Sequence, residues 1–320
     1  MSTQWPTALE WLSGERQSGD VLEAGEICGA GEAGEIGGAG ETTVPGDRAA
    51  GNRLVVAGVP LREGAVTPSR YDLAPGAVRA CLGRLSTFNG ERNVDISSVA
   101  VTDLGDDLTP PPLDATLTML LGGHNGVTYE ALSQRDDLPS WGLLTLDAHH
   151  DVRPYPPGAP GNGSPVRALV DAGMPGTNVV QVGIAGFSNI AEHRRWCEEI
   201  GVTIRGPEAM GEVPELLEIL ASRCESVYVD IDIDVLDRAF APGSPGARPG
   251  GVTPRQLFDA AYWSGAHPSV RAVDLVEVDP ESDVASTTTF NAAICFLNVA
   301  SGFATRQRGV ARTDSVRSDR

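Results

Sequence analysis

Short apolar runs recur along the chain, each closed by glycine, proline or acidic residues. Leu54-Val55-Val56-Ala57-Gly58-Val59-Pro60 is the first; others span Ala115–Leu121, Gly142–Leu146, Val179–Val182, Val227–Ile233 and Val270–Val276. Runs this short, with little polar alternation, predict strands buried on both faces. Between most of them lie segments that read as helices: Pro75–Leu85 with proline at its start, Thr128–Leu132, Ser164–Asp171, Ile190–Glu199, Val213–Arg223, Thr253–Gly265 and Phe290–Gly302. Apolar strands alternating with helices predict an α/β fold of three layers, α/β/α, around a mostly parallel central sheet.

The two ends read differently. Residues 1–52 repeat a Gly/Ala/Glu theme from Glu23-Ala24-Gly25-Glu26 to Glu41, with nine acids and two arginines in the first fifty residues and few large apolar side chains. Such a segment buries too little surface to offset its ordering entropy, which predicts disorder, with room for a short helix around Trp5 to Trp11. The folded domain is expected over 53–304. A flexible tail is expected over 305–320, where five arginines follow one another closely.

Composition narrows the function. Across 320 residues, 41% are apolar and 21% charged, and the net charge is −19. That balance argues against a phosphate-backbone binder and against a polybasic membrane contact, so neither nucleic acid nor membrane is an expected partner. All 24 basic residues are arginine. Lysine Schiff bases, pyridoxal anchoring and the phosphate-loop and kinase lysines are thereby excluded. Five cysteines without a CxxC pair fit a reducing compartment, and no apolar run is long enough to span a membrane. The expected location is cytoplasmic.

The chemistry gathers where apolar runs end, which is where open α/β sheets bind ligands. After Gly142–Leu146 comes Asp147-Ala148-His149-His150-Asp151. Residues two apart on a strand share a face, so Asp147, His149 and Asp151 are expected to converge. After Val227–Val229 comes Asp230-Ile231-Asp232-Ile233-Asp234, three carboxylates on one face. Like charges that close raise one another's pKa unless a cation sits between them. Together the two runs supply enough ligands for two divalent ions, which activate water at neutral pH. Gly122-Gly123-His124-Asn125 and Glu277-Val278-Asp279-Pro280 end two further runs. The first offers His124 or Asn125 to the site. The second offers Glu277 to a cationic substrate nitrogen.

These segments, in this order, resemble the arginase family of ureohydrolases over roughly Leu54 to Gly302, with Ala241-Pro242-Gly243 as a further match. The resemblance implies two Mn²⁺ ions, with Fe²⁺ or Zn²⁺ as alternatives. Asn125, Asp147, His149, Asp151, Asp232 and Asp234 would be the metal ligands. Asp147 and Asp232 would bridge, Asp151 would also hold the attacking hydroxide, and Glu277 would bind the amidine-type group. It also implies a homo-oligomer.

Two departures matter. The family usually reads Gly-Gly-Asp-His, and here His124-Asn125 stands in place of Asp-His. Its His-Gly-x-Pro loop reads Asn162-Gly163-Ser164-Pro165, so the proton-shuttling histidine expected in arginase is missing. Asp230 and Arg238 also replace the usual residues. Asp151-Val152-Arg153 is similar to the Asp-Leu-Arg of the formimidoylglutamase branch, and Arg167 follows shortly after Asn162. Arginine forks match carboxylates, so Arg153 and Arg167 are expected to clamp the two carboxylates of N-formimidoyl-L-glutamate. The alternative is a guanidino-acid or hydroxyarginine amidinohydrolase that releases urea.

Overall fold

The structure, a computed structural model, describes residues 7–14 and 53–318, with side chains as far as residue 308. Eight parallel strands form one sheet in the order β4-β1-β5-β10-β9-β6-β7-β8. They are β1 (Arg53–Val59), β4 (Ala100–Asp106), β5 (Leu117–Gly122), β6 (Trp141–Leu146), β7 (Val179–Val182), β8 (Thr203–Arg205), β9 (Ser226–Asp232) and β10 (Val270–Val276). A separate antiparallel ribbon pairs β2 (Phe88–Asn89) with β3 (Val94–Asp95). The expected α/β/α layering with a parallel sheet is what the chain adopts.

Each apolar run identified in the sequence is one of the interior strands. The missed strands of this sheet, β4 and β8, are its two edges. β4 is half-exposed along its length and ends in exposed residues. An edge strand need not be apolar on both faces, so it leaves no apolar run to find.

Helices α1 (Ala8–Ser13), α2 (Ala74–Leu82), α6 (Val213–Ala221), α7 (Pro254–Ala266) and α8 (Thr287–Ser318) pack on one face. Helices α3 (Gly126–Leu132), α4 (Pro165–Asp171) and α5 (Ala191–Glu199) cover the other. Helix α7 begins with a capping box of Thr253 and Gln256, and with Pro254 in its first turn, where its missing N–H costs nothing.

Both ends hold ordered structure, the first of them where the sequence allows for a short helix. Thr7–Gly14 is ordered: α1 buries Trp11 and Leu12 in the core, and the Trp11 indole donates to the Val99 carbonyl at 3.1 Å. Residues 15–52 lie outside the described residues. At the other end α8 does not break at 304. Arg306 donates to the carbonyls of His267, Val270 and Thr116 at 2.8–3.1 Å, which ties the helix to the sheet.

Topology places the site. After β5 the chain crosses to β6, and the gap is filled later by β9 and β10. The carboxyl ends of β5, β10, β9 and β6 therefore lie side by side at a reversal of strand order, where α/β sheets open a crevice.

A buried carboxylate centre and its substrate cleft

Strand β6 ends at Leu146, and the next five residues turn away from strand geometry. Asp147 is buried and accepts the His149 amide at 2.6 Å. The His149 imidazole Nδ1 lies 2.9 Å from Asp234 and 3.4 Å from Asp147. Asp151 takes a left-handed backbone, φ 51°, which is uncommon for a side-chain-bearing residue and brings its carboxylate back beside Asp147. His150 points the other way, with Nδ1 2.6 Å from Gln181 Oε1. Convergence of residues 147, 149 and 151 thus comes from turn geometry, not from the strand pleat.

Strand β9 ends at Asp232, and a single 3₁₀ turn places Asp234 next to it. Asp232 accepts the Asp234 amide at 2.8 Å, and Asp234 approaches the Ala148 amide at 3.3 Å. Gly246 packs so closely on Asp234 that a Cβ there would fall 2.0 Å from its carboxylate oxygen. Asp230 does not join them. It lies opposite Asp274 in the adjoining strand, in a buried acidic pair beneath the centre.

The Gly122-Gly123 turn brings in the third segment. Gly123 lies flat on the backbone of Leu61, where a Cβ would clash at 2.0 Å. His124 turns outward. Its Nδ1 accepts the Gly126 amide at 2.9 Å, so its proton is on Nε2, 2.7 Å from the Glu63 carbonyl. Asn125 turns inward instead, with its amide group 2.9 Å from Asp151 and 3.4 Å from both Asp147 and Asp232.

Glu277 closes the centre from the end of β10, also in left-handed backbone, φ 66°. Its Oε1 accepts the Asn125 backbone amide and the Asn162 side chain, each at 2.8 Å. Asn162 is in turn oriented by the Val66 amide, which donates to its Oδ1 at 2.7 Å.

The electrostatics of this cluster follow from burial. Burial and the neighbouring Asp234 charge push Asp147 up to about 7. Burial and nearby carboxylates raise Asp151 and Asp232 well above the usual carboxylate range. Burial disfavours the charged His149, but Asp234 and Asp147 outweigh it and push the imidazolium up to about 12. Burial also opposes the charge of Asp234, yet His149 beside it holds it below the usual range. Burial lifts Glu277 to about 7, against the pull of the Asn125 amide and Asn162. Four carboxylates around one imidazole lack positive charge, and buried carboxylates in that state call for a cation. The geometry fits: Asp147, His149 and Asp234 present ligand atoms within 4.8 Å of one another, as do Asp147, Asp151 and Asp232. These two groups share Asp147 and form a candidate dimetal centre of oxygen and nitrogen donors.

A cleft opens over the centre. Tyr71, Arg153, Asn162, Arg248 and Glu277 line it together with His149, Asp151, Asp232 and Asp234. An adjoining hollow shares Arg153 and continues to Asn189 and His193. Arg167 is not in either lining. It lies over the Trp196 ring, 5.2 Å from its centroid, with Asp171 4.0 Å from its Nε. The helical phase of α4 sends it along the outer layer, which corrects the expected Arg153–Arg167 clamp. Arg248 was not singled out by the sequence, because nothing next to it marks it. It reaches the cleft only because the loop after Asp237 folds back over Asp234. Among the described residues neither Arg153 nor Arg248 forms an ion pair. Arg248 Nη1 instead donates to the carbonyls of Pro245, Gly246 and Ala247 at 2.9–3.0 Å.

A parallel sheet with a buried carboxylate–imidazole centre at its topological switch defines a hydrolase of the dimetal type. The arginase family model matches residues 52–300, and the chain belongs to the arginase family. It is thus an enzyme of the ureohydrolase type, hydrolysing carbon–nitrogen bonds of linear amidines. It is 34% identical to formimidoylglutamase of Halalkalibacterium halodurans over 272 residues, 77% of this chain and 85% of that protein. Formimidoylglutamase of Bacillus subtilis is 30% identical over 274 residues, with the same coverage. The crystal structure of the Bacillus subtilis enzyme superimposes with a TM-score of 0.72 at 28% identity, covering 79% of this chain and 87% of that one. No helix among the described residues is long and apolar enough to cross a membrane.

Proposed function

We propose that the chain is a formimidoylglutamase, converting N-formimidoyl-L-glutamate and water to L-glutamate and formamide. One observation carries the choice of substrate. Arg153 and Arg248, two guanidinium groups without acidic partners among the described residues, stand on separate loops and line a cleft whose floor is acidic. A floor that attracts a cation beneath a rim that attracts anions suits a molecule with an amidinium head and two carboxylates. Agmatine and guanidino monoacids leave one or both arginines unused. The named relatives support the same reading.

Asn125, Asp147, His149, Asp151, Asp232 and Asp234 would hold two divalent cations, Mn²⁺ by preference. When bound, such ions acidify water at neutral pH and supply positive charge to the developing oxyanion. The chain's own residues do the rest. Glu277 pairs with the amidinium and fixes its carbon above Asp151. Asp151 orients the attacking water and takes its proton. That proton passes to the glutamate nitrogen as the carbon–nitrogen bond breaks, and the proton left on the new C–OH group follows to the freed amine as the formamide carbonyl forms. Asn162, in the place of the loop histidine, does not titrate; it holds Glu277 in position through Oε1. Arg153 and Arg248 hold the carboxylates and set the depth of the substrate.

The test is a product assay on Mn²⁺-loaded protein. Formimidoyl-glutamate, arginine, hydroxyarginine, agmatine and guanidinobutyrate are offered separately, with formamide and urea both measured. Formamide from the first substrate alone is expected. Urea from any guanidine, with no formamide, overturns the assignment.

A further inference from the structure

Thr128 sits three residues after Asn125, in the first turn of α3, and both are buried. Its hydroxyl is 2.8 Å from Asp274 Oδ2 and 3.1 Å from Asn125 Oδ1. A hydroxyl has one proton, so it donates to only one of them. Asp274 Oδ2 also receives the Tyr228 hydroxyl at 2.8 Å, and its Oδ1 faces the Ile231 amide at 3.3 Å. A carboxylate ringed by donors accepts. Asp274 therefore takes the Thr128 proton, and Thr128 turns a lone pair toward Asn125.

That lone pair discriminates between the two ways round of the Asn125 amide. With Oδ1 toward Thr128, two acceptors oppose each other. With Nδ2 toward Thr128, the amide donates and a hydrogen bond forms. The second orientation points Oδ1 inward, among Asp147, Asp151 and Asp232. An oxygen in that company is stable only around a cation, and an inward oxygen is what an amide needs to ligate one. The opposing pull comes from the carboxylates themselves, which accept an inward Nδ2 when no cation is bound.

We propose that Thr128, fixed as a donor to Asp274, is a positioning residue that turns the Asn125 amide oxygen toward a metal ion held by Asp147, Asp151 and Asp232. This rests on the reading of Asn125 as a ligand given above. Asp274 and Tyr228 act through it: they commit the Thr128 proton and leave its lone pair facing the amide.

The experiment is Mn²⁺ titration of the metal-stripped full chain by calorimetry, without substrate, with far-UV circular dichroism to follow the fold. An amide oxygen binds Mn²⁺ less tightly than an imidazole nitrogen, so the site that Asn125 would serve is the weaker of the two. Thr128→Val is expected to weaken it by about 10- to 100-fold, the range for groups that orient a metal ligand, and to leave the tighter site unchanged. Thr128→Ser keeps the hydroxyl and is expected to bind as the wild type does. Asp274→Asn can turn its amide to donate to Thr128, freeing the threonine proton for Asn125 Oδ1, and is expected to weaken the same site. Wild-type affinity at both sites in Thr128→Val, equal weakening of both sites, or equal loss in Thr128→Ser would each overturn the proposal. If Thr128→Val fails to fold, the serine and Asp274→Asn variants decide. The outcome is independent of substrate: a chain that binds Mn²⁺ in this pattern but makes no formamide refutes the formimidoylglutamase reading and leaves this one standing.

Discussion

Asn162 Nδ2 stands 2.8 Å from Glu277 Oε1, and both side chains line the cleft. The contact joins the loop after Asp151 to the end of β10, and it helps keep a buried carboxylate ionised against a burial effect that lifts it to about 7. Glu277 must be ionised to pair with an amidinium, so kcat/KM should rise with pH along an acid limb set by this group. Replacing the donor by an acceptor in Asn162→Asp should move that limb to higher pH. A pH profile of kcat/KM in the two proteins checks it, and superimposable limbs would refute the role.

Glu277→Gln removes the charge but keeps an oxygen that can accept from Asn125 and Asn162. The fold should survive, while kcat/KM should fall by roughly 30-fold or more, matching the ~2–5 kcal/mol typical of a broken buried charge pair. Steady-state kinetics beside a thermal melt separates lost binding from lost structure.

The two rim arginines should behave alike and differ from Arg167. Arg153→Ala and Arg248→Ala should each raise KM about tenfold with little change in kcat, since a hydrogen bond to a charged group is worth about 1.5–3 kcal/mol. Arg167→Ala, whose guanidinium lies over Trp196, should change KM by less than about twofold. An Arg248→Ala enzyme with wild-type KM would show that one carboxylate, not two, is bound.

Asparagine in place of imidazole should show in metal affinity. Asn125→His offers a nitrogen that binds Mn²⁺ or Zn²⁺ better than an amide oxygen does. The weaker Mn²⁺ site should tighten by about tenfold or more, the scale on which a single ligand group acts. Unchanged affinity in a Mn²⁺ titration would place residue 125 outside the coordination sphere.

The carboxylate centre also predicts how the metal-free chain responds to pH. Asp147 lies near 3.8 when unfolded and is raised to about 7 in the fold, so between these values the native state binds the extra proton. Asp151 and Asp232 shift the same way. Stability from these groups is therefore greatest at low pH and falls as pH rises through the raised values. His149, raised to about 12, contributes fully below its unfolded value of 6.5 and loses that contribution progressively as pH rises from there toward 12. The metal-free melting temperature should thus be lower at pH 8 than at pH 5.5, and Mn²⁺ should raise it more at pH 8. Scanning calorimetry at both pH values, with and without Mn²⁺, measures the difference.

Some of this was readable without coordinates. Interior strands announce themselves because a strand covered on both faces must be apolar throughout, so β5, β6, β9 and β10 stand out. So do the carboxylates that follow them, since Asp147, Asp232 and Asp234 interrupt or end those runs at a cost that demands a partner. The edge strands β4 and β8 carry no such constraint and left no mark. Periodicity also pointed to the wrong cause for Asp151: a pleat was expected, but its position depends on a left-handed turn that no alternation encodes.

The chain alone determined the layered fold, the acidic clusters at the strand ends and the exclusion of lysine chemistry, because each depends on residue type and short-range pattern. Tertiary structure decided the rest. It turned His124 out to Glu63 and Asn125 in to Asp151, sent Arg167 to Trp196, and brought Arg248 and Asp274 to the site from more than a hundred residues beyond Asn125. Which of two adjacent side chains faces a cleft depends on backbone torsions set by distant packing, here Gly123 against Leu61, and a one-residue turn leaves the composition of the sequence unchanged.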